Sequence, residues 1–290
     1  MIRIEKLTPH VGAEISGIDL SRPIDEEAFR EIHRALMENL VVFFRDQEMT
    51  LAQQREFGRR FGDVHVHPGA PTRSEEGSGI SVADGKSPIP YVYALKEFPE
   101  ILALHADENS TRAAGEDWHA DVSCDPEPPM GSILRLTEVP PAGGDTLFSS
   151  MYAAYEALSQ PMKDLLCGLT AIHDGDVYAD RFRDPGKQYP RSEHPVVCTH
   201  PETGRRLLFV NSIFTKRIVQ LSKLESDALL GCLFRHVETA EFQCRFRWRR
   251  NSVAFWDNRS VQHHAMWDYF PARRHGYRVT IKGERPFFRP

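Results

Sequence analysis

The sequence predicts a mainly β protein with flanking helices, built on a cupin-like jelly-roll core, a double-stranded β-helix. Three observations point there. The C-terminal portion alternates apolar and polar residues over short runs, FQCRFRWRRNSVAFWDN and then YRVTIKGERP, the period of strands with one buried face. The chain opens on alternating apolar residues followed by GAEISGIDLSRPI, a glycine-punctuated strand and turn. Helical patterns interrupt the strands but never set up the strand–helix–strand rhythm of a parallel sheet.

The elements follow in order. Phe29, Ile32, Leu36 and Leu40 recur at helical spacing and predict an amphipathic helix from about Asp25 to Leu40. VVFF (Val41 to Phe44) is short and wholly apolar, as a buried strand should be. Thr50 and Gln53 make a capping box for a second helix carrying Leu51, Phe57 and Phe61, and Gly62-Asp63 stops it. VHVHP then reads as a strand with His65 and His67 on one face. Residues 69–116 are the least periodic part, read as loops with one strand, Tyr91 to Leu95; long irregular segments of this kind serve as lids or binding loops. SSMYAAYEALSQPMKDLLCGL predicts two helices broken near Gln160-Pro161. LLFV (Leu207 to Val210) reads as a strand, and Ser222 with Glu225 caps a helix bearing Leu229, Leu230 and Leu233. No repeat or linker divides the chain, so one domain over residues 1–290 is expected, with a lid or insertion around residues 70–115.

Composition excludes several classes. A net charge of −5 with well-mixed signs leaves no electrostatic footprint for nucleic acid or an anionic membrane. No apolar run approaches the ~20 residues of a membrane span, and the N-terminal stretch lacks the apolar core of a secretory signal, so a cytoplasmic protein is expected. The five cysteines are scattered without a Cys-x-x-Cys pair, which argues against both a disulfide framework and a structural zinc site. Cys124 alone lies close to a candidate ligand. Arg245, Arg247, Arg249 and Arg250 read as a solvated strand edge.

The chemistry concentrates in DWHADVSCDPEPPMGSILRLTEVPPAGGDT, residues 117–146. In a strand, His119 and Asp121 project to the same face, and one imidazole with one carboxylate is two-thirds of the 2-His-1-carboxylate triad that holds non-haem Fe(II). The pair alone is weak evidence: 13 histidines and 41 carboxylates in 290 residues yield about 1.8 His-x-Asp/Glu matches by chance. Four occur: His105/Asp107, His119/Asp121, His200/Glu202 and His236/Glu238. His236/Glu238 lies near a helix end, where i and i+2 diverge, and His200/Glu202 sits in a turn. His105/Asp107 repeats the His-Ala-Asp triplet, and only context separates it from His119/Asp121.

That context is WHADV, PPAGGDTLF, LFVN and FWDNRSVQHHAMWDYFPARRHGYRVTIKGERPF, together with GAEISGIDL, VVFFRDQ, FGRRFGDVHVHP and AAYEALS. In this order and over nearly the whole chain they resemble the taurine dioxygenase (TauD/TfdA) family of Fe(II)/2-oxoglutarate-dependent dioxygenases. The resemblance implies iron ligands at His119, Asp121 and His263, a 2-oxoglutarate grip at Thr146 and Arg274, and substrate contacts at His67, Arg278 and Val122. The residue types suit those roles: a guanidinium matches a carboxylate fork, and Arg274 and Arg278, four apart, share one strand face. Spacing alone leaves His263 and His264 open as the third ligand; alignment after WDNR favours His263.

The implied reaction is oxidative decarboxylation of 2-oxoglutarate to succinate and CO2, coupled to hydroxylation of a small anion, with Fe(II) and O2 required and ascorbate a stimulant. The substrate class is a sulfonate or carboxylate; sulfate esters, phenoxyalkanoates and larger natural-product acids stay open. The family's taurine-contacting tyrosine and asparagine align with Ala70 and Gly115, which predicts that taurine is a poor substrate. A homo-oligomer, dimer or tetramer, is expected, and neither nucleic acid nor membrane is a partner. Trp256 and Phe148 are either pocket walls or core, His65 is packed, and Asp145 orients the Gly-Gly-Asp-Thr turn. A zinc hydrolase would use the same triad but leave the arginines and the Gly-Gly-Asp-Thr turn unexplained, and a non-catalytic cupin-like binder would make no succinate with any substrate.

Overall fold

The computed structural model describes residues 2–67, 70, 72–73, 92–182 and 186–290. The N-terminal part contributes β1 (Arg3–Lys6), β2 (Ala13–Ser16), α1 (Glu26–Asn39), β3 (Val41–Phe44) and α2 (Leu51–Arg59). Then come β4 (Thr72–Arg73), β5 (Val92–Leu95), β6 (Ile101–Ala106), β7 (Gly131–Glu138) and β8 (Thr146–Ser150). The middle holds α3 (Met151–Glu156), α4 (Gln160–Leu166), β9 (Thr170–Asp174), α5 (Val177–Phe182), β10 (Arg191–Pro195), β11 (Val197–Thr199), β12 (Arg206–Leu208) and β13 (Thr215–Ile218). Last are α6 (Lys223–Val237), β14 (Gln243–Phe246), β15 (Ser252–Asp257), β16 (Val261–Ala265) and β17 (Arg274–Ile281).

Nine strands form the main sheet in the order β1-β2-β3-β15-β7-β17-β6-β5-β4, and a smaller sheet runs β14-β8-β16. Most pairings are antiparallel, and the two sheets enclose the core in the expected jelly-roll arrangement. VVFF is buried at all four positions because both faces of β3 are covered. Val41 and Phe43 face the smaller sheet, where Phe43 stacks on Phe246 at 3.9 Å and meets Phe148 edge-on at 5.5 Å. Val42 and Phe44 face outward, under the apolar sides of α1 and α2 with Ile32, Leu36 and Phe57. Each such phenylalanine contributes roughly 2–3 kcal/mol by burial, so a polar substitution at any of them would loosen both layers.

Side-chain caps open α1, α2 and α6, and those of α2 and α6 are the capping boxes read from the sequence. Asp25 accepts from the Ala28 amide at the start of α1. Thr50–Gln53 and Ser222–Glu225 are complete capping boxes, and Pro161 sits in the first turn of α4, where a missing amide costs nothing.

The structure departs from expectation in three places. Residues 64–67 of VHVHP form no strand: only Val64 pairs, in an isolated bridge to Ile281, with His65 N donating to Thr280 O at 2.7 Å, and Pro68 lies outside the described residues. The reason is occupancy, since β7 and β6 already flank β17 and only its last two residues leave an edge open on the β6 side. The 70–115 segment contains strands β4, β5 and β6 rather than one, while residues 74–91 lie outside the described residues. LLFV is strand only as far as Leu208, with Phe209 N still donating to Val196 O at 2.8 Å.

β17 positions the site. Arg274 and Arg278 point toward the smaller sheet, and Val279 and Ile281 toward the outer layer. Its register against β7 shifts between His275 and Gly276, where a Cβ would sit 2.2 Å from Arg135 O, so only glycine lets the strands close there. Among the described residues no helix is long and apolar enough to cross a membrane.

Candidate active site

His119 and His263, 144 positions apart in the chain, face each other across an isolated antiparallel bridge. Each amide donates to the other's carbonyl, at 3.1 and 2.9 Å, and the rings lie 4.1 Å apart between centroids. This corrects the premise that His119 and Asp121 share a strand: His119 pairs through this one bridge, and Asp121 opens a turn. The side chains nevertheless converge. Donor atoms of His119, Asp121 and His263 all lie within 4.8 Å of one another, and all three residues are buried. Among the described residues no other group of three or more His, Cys, Asp or Glu meets that condition.

The electrostatics suit a divalent cation. Burial alone would raise the Asp121 carboxyl, but Arg278, His263, His119 and the Ser132 hydroxyl together hold it well below the usual carboxylate range. Burial keeps His263 neutral, far below its ordinary value. Its Nδ1 is buried without a hydrogen-bond partner. His119 Nδ1 lies 2.8 Å from the Asp117 carbonyl, a contact that puts the proton on Nδ1 and the lone pair on Nε2, 3.7 Å from Asp121 Oδ1. Two neutral imidazoles and one ionised carboxylate are a donor set that fits a first-row divalent ion with positions to spare.

A solvent-open cavity, about 750 Å³ with the open solvent at its mouth included, surrounds these groups. Of the sequence-predicted residues, His67, His119, Asp121, Thr146, His263, Arg274 and Arg278 all line it. Val122 is outside the cavity wall, buried behind it against Tyr178 and Phe214. Arg274 is buried; its Nε donates to Gly144 O at 3.1 Å, and its Nη2 has no partner. Its guanidinium lies 5.7 Å over Trp248, whose Nε1 donates to Thr146 Oγ1 at 2.9 Å. The Thr146 hydroxyl therefore accepts from Trp248 and keeps its own proton for an acceptor beside Arg274. Arg278 donates through Nη1 to Asp121 Oδ1 at 2.5 Å, while its buried Nε is unpaired. His67 accepts from the Ala70 amide at Nδ1, 3.1 Å away, which leaves the ring proton on Nε2. Burial, reinforced by Arg278, lowers its pKa to about 3, so the ring is neutral near pH 7.

The remaining candidates find structural partners. His264 lies half-buried on the other side of β16, 5.6 Å from the Trp118 ring. His105 pairs with Asp107 at 3.2 Å and with His275 at 3.3 Å, away from the cavity. His200 bonds Asp257 at 2.9 Å, and His236 bonds the Ala154 carbonyl at 2.7 Å. Cys124 is fully buried, and burial pushes its thiol up to about 12, which removes it as a nucleophile. Asp145 accepts from Arg245 at 2.6 Å, so this arginine is tied down rather than merely solvated. Phe148 and Trp256 are both core residues and cavity walls. Sequence reasoning missed Tyr178 and Phe214, which no local pattern marks, and Ser132 and Asn258, which hold Asp121.

A family model described as taurine catabolism dioxygenase TauD, TfdA family matches residues 3–280. The chain belongs to this family. As a TauD, TfdA family member it is a 2-oxoglutarate-dependent dioxygenase, an oxidoreductase. It is 33% identical to a Saccharomyces cerevisiae protein named alpha-ketoglutarate-dependent sulfonate dioxygenase, over 98% of this chain and 68% of that one. It is 32% identical to a Pseudomonas putida protein named alpha-ketoglutarate-dependent sulfate ester dioxygenase, over 98% of this chain and 90% of the other. Its fold superposes on the crystal structure of a taurine dioxygenase from Burkholderia xenovorans with a TM-score of 0.80 at 34% identity, covering 98% and 92% of the two chains.

Proposed function

We propose that this TauD, TfdA family member uses Fe(II), 2-oxoglutarate and O2 to hydroxylate a small sulfonate or carboxylate, releasing succinate and CO2. One observation carries the reading: the three buried donors His119, Asp121 and His263 share a cavity with two buried arginines that have unused N–H groups. The donor set would hold the ferrous ion, which supplies the oxygen chemistry when bound. The chain's own part is to bind, orient and exclude water. Arg274 offers its unpaired Nη2, and Thr146 its hydroxyl proton, to the distal carboxylate of 2-oxoglutarate. Arg278 offers its buried, unpaired Nε to the substrate anion, with neutral His67 on the same cavity wall and the apolar walls Val92, Leu104, Leu134 and Phe214 around its carbon skeleton.

A sulfate ester is the second substrate reading, favoured by the relative named for that activity. Taurine is expected to be poor. Gly115 lines the cavity at φ 78°, where a Cβ would meet His119 Cε1 at 3.0 Å, and Ala70 has no polar side chain for an ammonium group. A zinc hydrolase would use the same donors but give no role to Arg274 or Thr146. The five free cysteines and the need for ferrous iron support a reducing, cytoplasmic setting, and ascorbate is expected to stimulate by keeping the iron ferrous. A homo-oligomer, dimer or tetramer, belongs to the same proposal. The test is succinate release from 2-oxoglutarate with Fe(II) across a panel of sulfonates, sulfate esters and carboxylates. Activity that needs both the metal and an anionic substrate is expected. Absence of succinate with every substrate, together with no binding of 2-oxoglutarate, would overturn the reading.

A further inference from the structure

Asp121 is held at two independent points, and both holders lie outside the cavity wall. The side-chain amide of Asn258, itself 2% exposed, brackets the Asp121 backbone: Asp121 N donates to Asn258 Oδ1 at 2.6 Å, and Asn258 Nδ2 donates to Asp121 O at 2.8 Å. A third bond ties Nδ2 to Pro129 O at 3.1 Å. The amide thus continues, by side chain, the backbone pairing that His263 makes with His119 two residues earlier. Restraint is needed there. Val122, the next residue, has φ 50°, a left-handed conformation that a β-branched side chain resists. The second holder is Ser132 on β7, fully buried, whose hydroxyl donates to Asp121 Oδ2 at 2.8 Å. That bond leaves Oδ1 as the oxygen turned toward His119 Nε2 and Arg278.

We propose that Asn258 and Ser132 are positioning residues that present a single oxygen of Asp121 to the metal: Asn258 sets where the carboxylate stands, and Ser132 sets which oxygen it offers. The inference rests on the proposed ligand set His119, Asp121 and His263. Asn258 is itself anchored, because its backbone N–H donates to Met130 O at 2.8 Å and its neighbour Asp257 is clamped by His200 and Arg259 at 2.9 and 2.7 Å. Partners of metal-bound groups that fix ligand orientation change metal affinity by roughly 10- to 100-fold when lost.

The experiment is a Mn(II) titration followed by electron paramagnetic resonance on the full chain, with Ser132→Ala, Asn258→Asp and Asp121→Ala beside wild type, and urea midpoints measured on each. Ser132→Ala deletes one hydroxyl, while Asn258→Asp is near-isosteric but turns both Nδ2 donations into contacts between oxygens and buries a charge, a cost that the urea midpoint registers separately from metal affinity. The expected result is one tight site in wild type, none in Asp121→Ala, and affinity weakened about 10- to 100-fold in the other two. Wild-type affinity in Ser132→Ala and Asn258→Asp, with or without a lowered urea midpoint, overturns the positioning proposal while the ligand set stands. Wild-type affinity in Asp121→Ala overturns the ligand set, and the proposal with it.

Discussion

Replacing Arg274 by methionine tests the co-substrate grip. The substitution keeps an unbranched side chain of similar reach in a site only 6% exposed, but removes the guanidinium. In the structure Arg274 spends one N–H on Gly144 O and holds Nη2 buried and unpaired, so the 2-oxoglutarate carboxylate is the partner that would satisfy it. A hydrogen bond to a charged group is worth about 1.5–3 kcal/mol, and a carboxylate taken in by a fork engages two. Thr146 remains as a donor in the variant, which places the loss near the lower bound of about 3 kcal/mol. At about 1.4 kcal/mol per decade this is roughly a 100-fold rise in the KM for 2-oxoglutarate. The Gly144 carbonyl and the Trp248 face lose their contacts too, so a stability loss of about 1–3 kcal/mol accompanies it. The assay is succinate formation against 2-oxoglutarate concentration at saturating substrate, with Mn(II) binding as a control for the metal centre. A KM raised less than about 5-fold in a folded variant refutes the assignment of Arg274 to the distal carboxylate.

Further outcomes follow from the same geometry. His263→Ala should abolish Mn(II) binding, whereas His264→Ala, on the opposite face of β16, should leave it within about 3-fold; the reverse pattern would move the ligand to His264. In the substrate panel, taurine should give a kcat/KM well below that of the best sulfonate, sulfate ester or carboxylate, and parity would refute the argument from Ala70 and Gly115. Acid should begin to destabilise the fold at about pH 6, through a buried histidine. Burial holds fully buried His173 down to about 3, while the unfolded ring titrates near ~6.5, so the unfolded state binds the extra proton and stability falls as pH drops from ~6.5 toward 3. From pH 7 to pH 5 that is about 2 kcal/mol for this residue, read from urea midpoints and lessened by that amount in His173→Gln; an unchanged slope would refute it. Asp121 and Asp257, depressed by their cationic neighbours despite burial, add stability that is lost only below ~4, at the acid end of the histidine's range and beyond it.

What could be read from the residues alone was of two kinds. Local physics was legible: the capping boxes at Thr50 and Ser222, the wholly apolar β3, and the even spacing that sets Arg274 and Arg278 on one face each depend on residues a few positions apart. The family was legible too, because a His-x-Asp pair, a Gly-Gly-Asp-Thr turn and paired arginines in one order resemble the TauD, TfdA pattern, and the family model matches residues 3–280. The fold decided the rest. Spacing left His263 and His264 equivalent, and the bridge to His119, which turns only one of them inward, separates them. The strand premise for His119 and Asp121 failed because their convergence comes instead from that bridge and from Asn258, 137 positions from the aspartate it holds. His105 carries the same triplet but faces the outer side of the sheet, toward His275. A side chain's direction over such separations is set by strand register and packing, and these are properties of the closed sheet that no stretch of sequence contains.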